Sequence, residues 1–159
     1  MIGTLYTFGY QGMSSSVDLR RLLAETDCST IVDVRLKVWS GNREFSMATR
    51  RTVEEAGLVY SHVPALGNLA YKTGGIEIKD ISAIDPLVDR LRQGESLAFM
   101  CVCPSPKSCH RSELVAVALD LLPSLRVVHL SLHDKPKLHE VRVPEAIPMS
   151  LDEALFPLP

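Results

Sequence analysis

The sequence lacks the features that mark membrane, secreted or disordered proteins. No apolar run approaches the roughly 20 residues that a membrane-spanning helix needs. The net charge is −2 and 46% of the 159 residues are hydrophobic, a composition that excludes a disordered chain and a strongly basic DNA-binding module. Residues 1–10 have no charged segment followed by an apolar one, so we expect no signal peptide. We therefore expect a cytoplasmic protein that makes no contact with a membrane.

Cysteine is scarce, yet its distribution is informative. The chain has four cysteines, and three of them, Cys101, Cys103 and Cys109, fall within nine positions. So few cysteines, clustered and without an export signal, favour thiol chemistry or metal binding over a disulfide scaffold.

The clustered cysteines lie in a polar segment, residues 101–111, which we call the cysteine loop. A short apolar run at 97–100 leads into it and predicts a buried strand, whereas the longer Leu- and Ala-rich run at 114–122 predicts a helix. The first N–H groups of a helix are unpaired and favour anions. His110 and Arg111 stand at this predicted helix start, so the cysteine loop is the main candidate site.

Strand and helix patterns alternate along the rest of the chain. Strands are predicted at 2–8, 30–34, 58–63, 97–103 and 125–131, and helices at 15–26, 46–56, 84–94 and 114–122. This alternation predicts an α/β fold with a single domain over residues 1–131. We expect a mostly parallel sheet of about five strands, flanked by helices in a Rossmann-like or rhodanese-like three-layer arrangement. Residues 132–159 are rich in proline and are expected to form a tail, and residues 67–79 a loop or lid.

Polar residues follow several of the predicted strands. Ligands of parallel sheets bind beyond the C-terminal strand ends, so we expect Tyr10, Asp33, Arg35 and His62 to meet the cysteine loop. Asp33 and Arg35 either form an ion pair, or Arg35 binds an anion while Asp33 orients it or acts as a general base. Tyr10 either stacks on a ligand ring or covers the sheet edge, and His62 either lines the pocket or is a satisfied core residue.

Six short motifs stand in a characteristic order along the chain. They are TFGY, DVR, REFS, YSHVP, LGN and C-x-C-x5-C-H-R, at residues 7–10, 33–35, 43–46, 60–64, 66–68 and 101–111. In this order they resemble the DUF488 family, over about residues 4–131. The resemblance implies the fold and a pocket but no reaction, because that family is defined as one of unknown function.

A first hypothesis makes the cysteine loop a nucleophile site. A Cys109 thiolate would be favoured by the helix dipole and by the positive charge of its neighbours, and Cys103 at the strand end is the other candidate nucleophile. The order of strand, cysteine loop and helix also looks like that of rhodanese and cysteine-phosphatase domains. However, the spacing from Cys103 to Arg111 is longer than their usual C-x5-R, and two loop prolines lack the N–H groups of an anion cradle.

A second hypothesis makes the same residues a zinc or iron site. Cys101, Cys103, Cys109 and His110 are soft ligands for either metal, and strand alternation puts the first two cysteines on one face. Against this, the spacing is not a standard zinc motif, and adjacent Cys109 and His110 side chains are expected to diverge. A Cys103–Cys109 disulfide switch and simple burial of the cysteines are the remaining alternatives.

The expected partner is a small phosphorylated or otherwise anionic ligand. Arg35 and Arg111 would bind the anion, with help from His110 at the helix start, unless Arg111 pairs with Asp33. The alternative is a nucleotide- or nucleic-acid-binding module, because Trp39 lies in a basic segment suited to stacking and phosphate contact, with basic residues at positions 35, 37, 43, 50 and 51.

Overall fold

A six-stranded sheet forms the centre of the structure, a computed structural model that describes residues 1–139. The strands are β1 (Thr4–Gly9), β2 (Thr30–Asp33), β3 (Val59–His62), β4 (Leu97–Cys101), β5 (Arg126–His129) and β6 (Lys137–Leu138). Their order across the sheet is β3-β2-β4-β1-β5-β6. The first five are parallel and β6 runs antiparallel to β5, which confirms the predicted α/β class and mostly parallel sheet.

The sixth strand is an addition to the predicted fold. It lies in the segment that the sequence assigns to the tail, and it pairs with β5 through Val128–Leu138 and His129–Lys137. The rest of the predicted proline-rich tail, 140–159, lies outside the described residues.

Four helices cover the sheet in the predicted three-layer arrangement. They are α1 (Ser16–Leu23), α2 (Thr49–Glu55), α3 (Asp85–Arg92) and α4 (Arg111–Leu121). The buried residues of α1 and α2 pack with one set of strand side chains, and those of α3 and α4 with the other set. Among residues 1–139, no helix has the length and apolar character needed to cross a membrane.

The alternating side chains of β4 explain this layering. All five residues of β4 are buried. Phe99 and Cys101 belong to the core under α3 and α4, whereas Ala98 and Met100 belong to the core under α1 and α2. A strand buried on both faces is the expected centre of a parallel sheet.

The strand register brings the motif residues to one edge. Central β4 lies between β2 and β1, with Gly9 beside Cys101 and Asp33 beside Met100. His62 pairs with Asp33 at the end of β3. The segments that follow β1, β2, β3 and β4 therefore meet at the C-terminal edge of the sheet, where the sequence predicted the site.

Candidate functional site

One polar cluster at this edge is centred on Arg35, and we call it the arginine network. Arg35 donates from Nε to Asp33 Oδ1 at 2.8 Å and from Nη2 to Asp33 Oδ2 at 2.6 Å. Nη2 also donates to Thr49 Oγ1 at 3.2 Å, and Nη1 donates to Tyr10 Oη at 3.1 Å and to the Phe45 carbonyl. These contacts use all five N–H groups that a guanidinium possesses.

The arginine network therefore serves the fold. Arg35 is 5% exposed and Asp33 is fully buried, so the ion-pair interpretation of these two residues describes the geometry. Burial lowers the pKa of Arg35, but the hydrogen bond and charge of Asp33 outweigh that effect and raise the pKa above its ordinary value. Arg35 is among the residues that line the cavity described below, but a guanidinium with every donor committed inside the protein has none left for a ligand.

The two tyrosines of this region also face inward. Tyr60 donates to Asp33 Oδ2 at 2.7 Å, and burial together with this carboxylate raises the pKa of Tyr60. Tyr10 is 2% exposed and stacks on Phe45, with ring centroids 4.6 Å apart. Tyr10 thus fills the core behind the site, and its ring offers no face to a ligand.

Two histidines hold the segment that follows β2. The ring Nε2 of His62 lies 2.8 Å from the Arg35 carbonyl, and the ring Nε2 of His110 lies 2.8 Å from the Val34 carbonyl. Because a carbonyl only accepts, each Nε2 carries a proton. In His110 this leaves Nδ1 pointing toward the cysteines.

The cysteine cluster consists of Cys101, Cys103 and Cys109, whose sulfur atoms all lie within 4.8 Å of one another. The Sγ atoms of Cys101 and Cys109 are 2.7 Å apart. Nδ1 of His110 lies 3.7 Å from Cys109 Sγ, so the expectation that these adjacent side chains diverge is wrong. The reason is local: Cys109 has extended backbone (φ −115°, ψ 149°) and His110 helical backbone (φ −61°, ψ −14°).

Arg111 completes this cluster. Its side chain is 1% exposed, and it donates from Nε to Cys109 Sγ at 3.4 Å, from Nη1 to Thr7 Oγ1 at 3.2 Å and from Nη2 to the Cys103 carbonyl at 2.6 Å. Within residues 1–139 no carboxylate forms a salt bridge with Arg111. The pairing with Asp33 that the sequence allowed is not made, because Arg35 occupies that carboxylate.

The surroundings of Cys109 favour its thiolate. A hydrogen bond from the Cys101 thiol, supported by hydrogen bonds from His110 and from the Arg111 backbone N–H, holds the pKa of Cys109 well below its ordinary value despite burial. Hydrogen bonds with the other two cysteines, and burial, raise the pKa of Cys101. Burial lowers the pKa of His110, but the hydrogen bonds with Cys109 and the Val34 carbonyl and the charges of Cys109 and Cys103 together outweigh burial and raise that pKa. Of the two buried cysteines, Cys109 is therefore the one whose ionisation the surroundings favour.

Gly9 permits the cysteine loop to close over the end of β1. A Cβ atom at this position would lie 1.8 Å from the Cys103 carbonyl oxygen, far inside any real contact. The same carbonyl accepts the Arg111 hydrogen bond. The glycine thus sets the path of the loop that brings Cys103 to the other cysteines.

A cavity of about 300 Å³ opens beside the cysteine cluster. Its walls include Cys103, Cys109 and His110 of the cysteine loop and the aromatic residues Trp39 and Tyr71. Arg111, His62 and Tyr10 do not contribute to its walls. The sequence pointed to Trp39 only through its basic neighbours, and Tyr71 was missed because a single aromatic residue in a glycine-rich loop carries no distinctive signal.

A chain of hydrogen bonds leads from Arg111 to the far edge of the sheet. Thr7 Oγ1 accepts from Arg111 and lies 2.6 Å from His129 Nδ1, and His129 Nε2 lies 3.0 Å from His139 Nδ1. Burial, with smaller contributions from His139 and Arg111, lowers the pKa of His129 to about 4. No sequence pattern predicted this chain of hydrogen bonds, because its members are distant along the polypeptide.

The cluster also offers soft ligands to a metal ion. Three sulfurs this close suit a single zinc or iron ion, with His110 Nδ1 as a nearby nitrogen donor. No comparable group of three His, Cys, Asp or Glu side chains occurs elsewhere in the part of the chain that the structure describes.

Comparison of the chain with protein-family profiles, with curated proteins and with solved structures found no match. The function therefore has to be inferred from the site itself.

Proposed function

We propose that this protein is a thiol-dependent enzyme that acts on a small anionic ligand, with Cys109 as the nucleophile. The observation that carries the proposal is the convergence of donors on one sulfur. The Cys101 thiol, His110 Nδ1 and Arg111 Nε all approach Cys109 Sγ, at the start of α4 where the helix dipole also favours negative charge. Low-pKa thiolates in positive surroundings are the reactive cysteines of proteins where a reagent can reach them. Cys109 is 2% exposed and is reached through the cavity that it lines.

The buried charge of Arg111 supports the same assignment. A guanidinium that is 1% exposed requires a compensating anion, since burial of an unpaired charge is costly. Among the described residues, Cys109 is the group in contact with Arg111 that can supply this negative charge. Arg111 then acts as a positioning residue that keeps the sulfur ionised.

The cavity supplies the place for the ligand. Cys109 and the partly exposed Cys103 both line it, and hydrogen bonding to Cys101 lowers the pKa of Cys103 to about 7. Cys103 is thus a second thiol of lowered pKa that lines the same cavity. Asp33, predicted as an orienter or general base, is engaged by Arg35 and Tyr60 and takes no part in this proposal.

Competitive alkylation tests the proposal. Protein treated with iodoacetamide at pH 7 is digested, and the alkylation rate of each cysteine is read by mass spectrometry. We expect Cys109 and Cys103 to react faster than Cys28, whose burial raises its pKa to about 11, and phosphate or sulfate to slow them. In a Cys109→Ser variant only Cys103 should still react fast, whereas a Cys28→Ser control should keep both fast cysteines. A Cys109 no more reactive than Cys28 in metal-free protein would rule out the nucleophile.

A metal centre is the second candidate function, favoured by the three sulfurs within 4.8 Å. Its signature is one equivalent of zinc or iron in protein purified without chelator, with the three clustered thiols unreactive until the metal is removed. Metal-free protein with reactive thiols would instead favour the enzyme. Elemental analysis paired with a thiol count separates the two.

We also propose that the protein is cytoplasmic and that it is related to the DUF488 family. All four cysteines are free thiols in the structure, and a site built on free thiols suits the reducing cytoplasm. The DUF488 resemblance agrees with a pocket at the cysteine loop, and it specifies no reaction.

A further inference from the structure

Within residues 1–139, the exposed aromatic residues share one location. Six of the aromatic side chains in residues 1–139 are buried, at 8% exposure or less, whereas Trp39 is 75% exposed and Tyr71 is 52% exposed. Both line the cavity beside the cysteine cluster. Large aromatic side chains left in water at a cavity mouth are typical of ligand-binding surfaces, because their faces stack on flat rings.

The wall that carries Tyr71 is held in place by Asn68. Asn68 Oδ1 accepts from the backbone N–H groups of Ala70 and Glu77 at 3.0 and 2.9 Å, and Asn68 Nδ2 donates to the Gly75 carbonyl at 2.8 Å. This side chain therefore ties together both sides of the loop at residues 67–79.

The same loop is joined to the segment that carries Trp39. At Gly67 a Cβ atom would lie 2.3 Å from Leu36 Cα, so the two backbones pack directly against each other. Leu36 begins the stretch that contains Lys37 and Trp39. The two exposed aromatic residues are thus presented by neighbouring segments in direct backbone contact.

The charge of the cavity complements an anion. Lys37 lines it together with His110, and no aspartate or glutamate of the described chain is among the lining residues. The start of α4, an 11-residue helix, follows directly after His110 and adds partial positive charge. Aromatic and cationic groups therefore line the same cavity.

From these features we infer that the cavity binds a ligand in which a flat aromatic ring is joined to an anionic group, of the chemical class of a nucleoside monophosphate. Trp39 and Tyr71 contact the ring, and Lys37 receives the anion in the part of the cavity lined by Cys109 and His110. The inference rests on the proposed function, whose ligand it specifies. A cavity of about 300 Å³ is at the small end of ligand sites, which suits one such molecule.

The sole tryptophan of the chain provides the readout. Fluorescence of Trp39 is titrated with adenosine monophosphate, ribose 5-phosphate, adenosine and inorganic phosphate, and calorimetry gives the same affinities independently. We expect adenosine monophosphate to quench the fluorescence. It should bind at least roughly tenfold more tightly than ribose 5-phosphate, as expected for stacking of one base. It should also bind more tightly than adenosine, which lacks the anionic group. Equal binding of adenosine monophosphate and ribose 5-phosphate would overturn the inference.

Variants assign the effect to the two aromatic side chains. By calorimetry, Trp39→Ala and Tyr71→Ala should weaken binding of adenosine monophosphate but not of ribose 5-phosphate, and Trp39→Phe should retain most of it. Met47→Ala is the matched control, because Met47 is also 75% exposed and lies outside the cavity wall. Unchanged binding in folded Trp39→Ala and Tyr71→Ala proteins would also overturn the inference.

Alkylation of Cys109 in the same samples separates this inference from the proposed function. If Cys109 is alkylated fast but adenosine monophosphate binds no more tightly than ribose 5-phosphate, the inferred aromatic-ring site is overturned and the proposed thiol-dependent enzyme is still supported. If adenosine monophosphate binds more tightly but Cys109 is unreactive, the aromatic-ring site is supported and the proposed role of Cys109 as the nucleophile is rejected.

Discussion

Arg111 Nε lies 3.4 Å from Cys109 Sγ, and through this contact a buried guanidinium is paired with a sulfur rather than with a carboxylate. The pairing explains how a positive charge resides under α4 when no acidic side chain of residues 1–139 reaches it. It also makes the ionisation of Cys109 part of the folded structure. Stability and thiol reactivity should therefore change together.

Replacing Arg111 tests this link. Arg111→Met removes the charge and three hydrogen bonds, so we expect a loss on the order of 3 kcal/mol in the free energy of unfolding and slower alkylation of Cys109 at pH 7. Arg111→Lys keeps the charge but cannot reach three acceptors with one planar group. Its free energy of unfolding and its Cys109 alkylation rate should therefore lie between those of wild type and Arg111→Met. Urea unfolding and alkylation rates are measured together. Arg20→Met, at an exposed position, is the control and should change neither quantity.

Gly9 gives a second prediction, which concerns the path of the cysteine loop. Gly9→Ala forces a Cβ into the Cys103 carbonyl, so the loop must shift and the Arg111 hydrogen bond to that carbonyl must break. We expect a marked fall in melting temperature. We also expect the clustered cysteines to be alkylated at the same rate as in a denatured control. Gly41→Ala is the matched variant, because a Cβ there meets no atom within 4 Å. If Gly9→Ala behaved like Gly41→Ala, the close approach would have no role.

Local patterns along the sequence predicted the main elements of the fold correctly. Gly57 and Gly94 end α2 and α3 with φ of +81° and +98°, as expected of glycines that follow helices. The alternation of strands and helices was sufficient for the layered sheet, and the clustered cysteines marked the site. These features depend on neighbours in sequence, and such signals are visible without a structure.

The partners of each charged side chain could not be predicted in the same way. Arg35 was expected at a ligand, yet its donors are used by Phe45 and Thr49, which approach it only because the 3₁₀ segment at 43–45 and α2 fold back over β2. Tyr71 joins Trp39 at the cavity for a similar reason. Contacts between distant segments decide these roles, and no spacing in the sequence records them.

The arginine network makes a third prediction, about stability alone. Asp33→Asn leaves the Arg35 charge buried without its counter-ion, for which we expect a cost of about 3–5 kcal/mol. Tyr60→Phe removes one hydrogen bond to a carboxylate and should cost about 1.5–3 kcal/mol. The exposed pair Arg50–Glu54 is the control, and Glu54→Gln should change stability by less than about 0.5 kcal/mol. Chemical denaturation measures all three, and a neutral Asp33→Asn would contradict a structural role for the ion pair.

The last prediction concerns pH and the hydrogen-bond chain that begins at Arg111. The Nδ1 atom of His129 lies 2.6 Å from Thr7 Oγ1, and the neutral ring can accept a hydrogen bond from this hydroxyl. Burial, followed by the charges of His139 and Arg111, lowers the pKa of His129 in the folded protein to about 4, against about 6.5 when unfolded. Between these two values the unfolded chain binds more protons, so the contribution of His129 to stability rises with pH over this window and is lost as pH falls through it.

The measurement is the free energy of unfolding in urea at pH 4.5 and pH 7 for wild type and His129→Asn. Carboxylates such as Asp27 and Glu95, with lowered pKa values, contribute a slope of the same sign, so the difference between the two proteins isolates the histidine. We expect His129→Asn to be less stable than wild type at pH 7 and to lose less stability on acidification. His133→Asn, at an exposed position, should follow wild type at both pH values. If His129→Asn kept the full acid-induced loss, His129 would be protonated equally in both states, and the Thr7 hydroxyl could not be donating to its Nδ1.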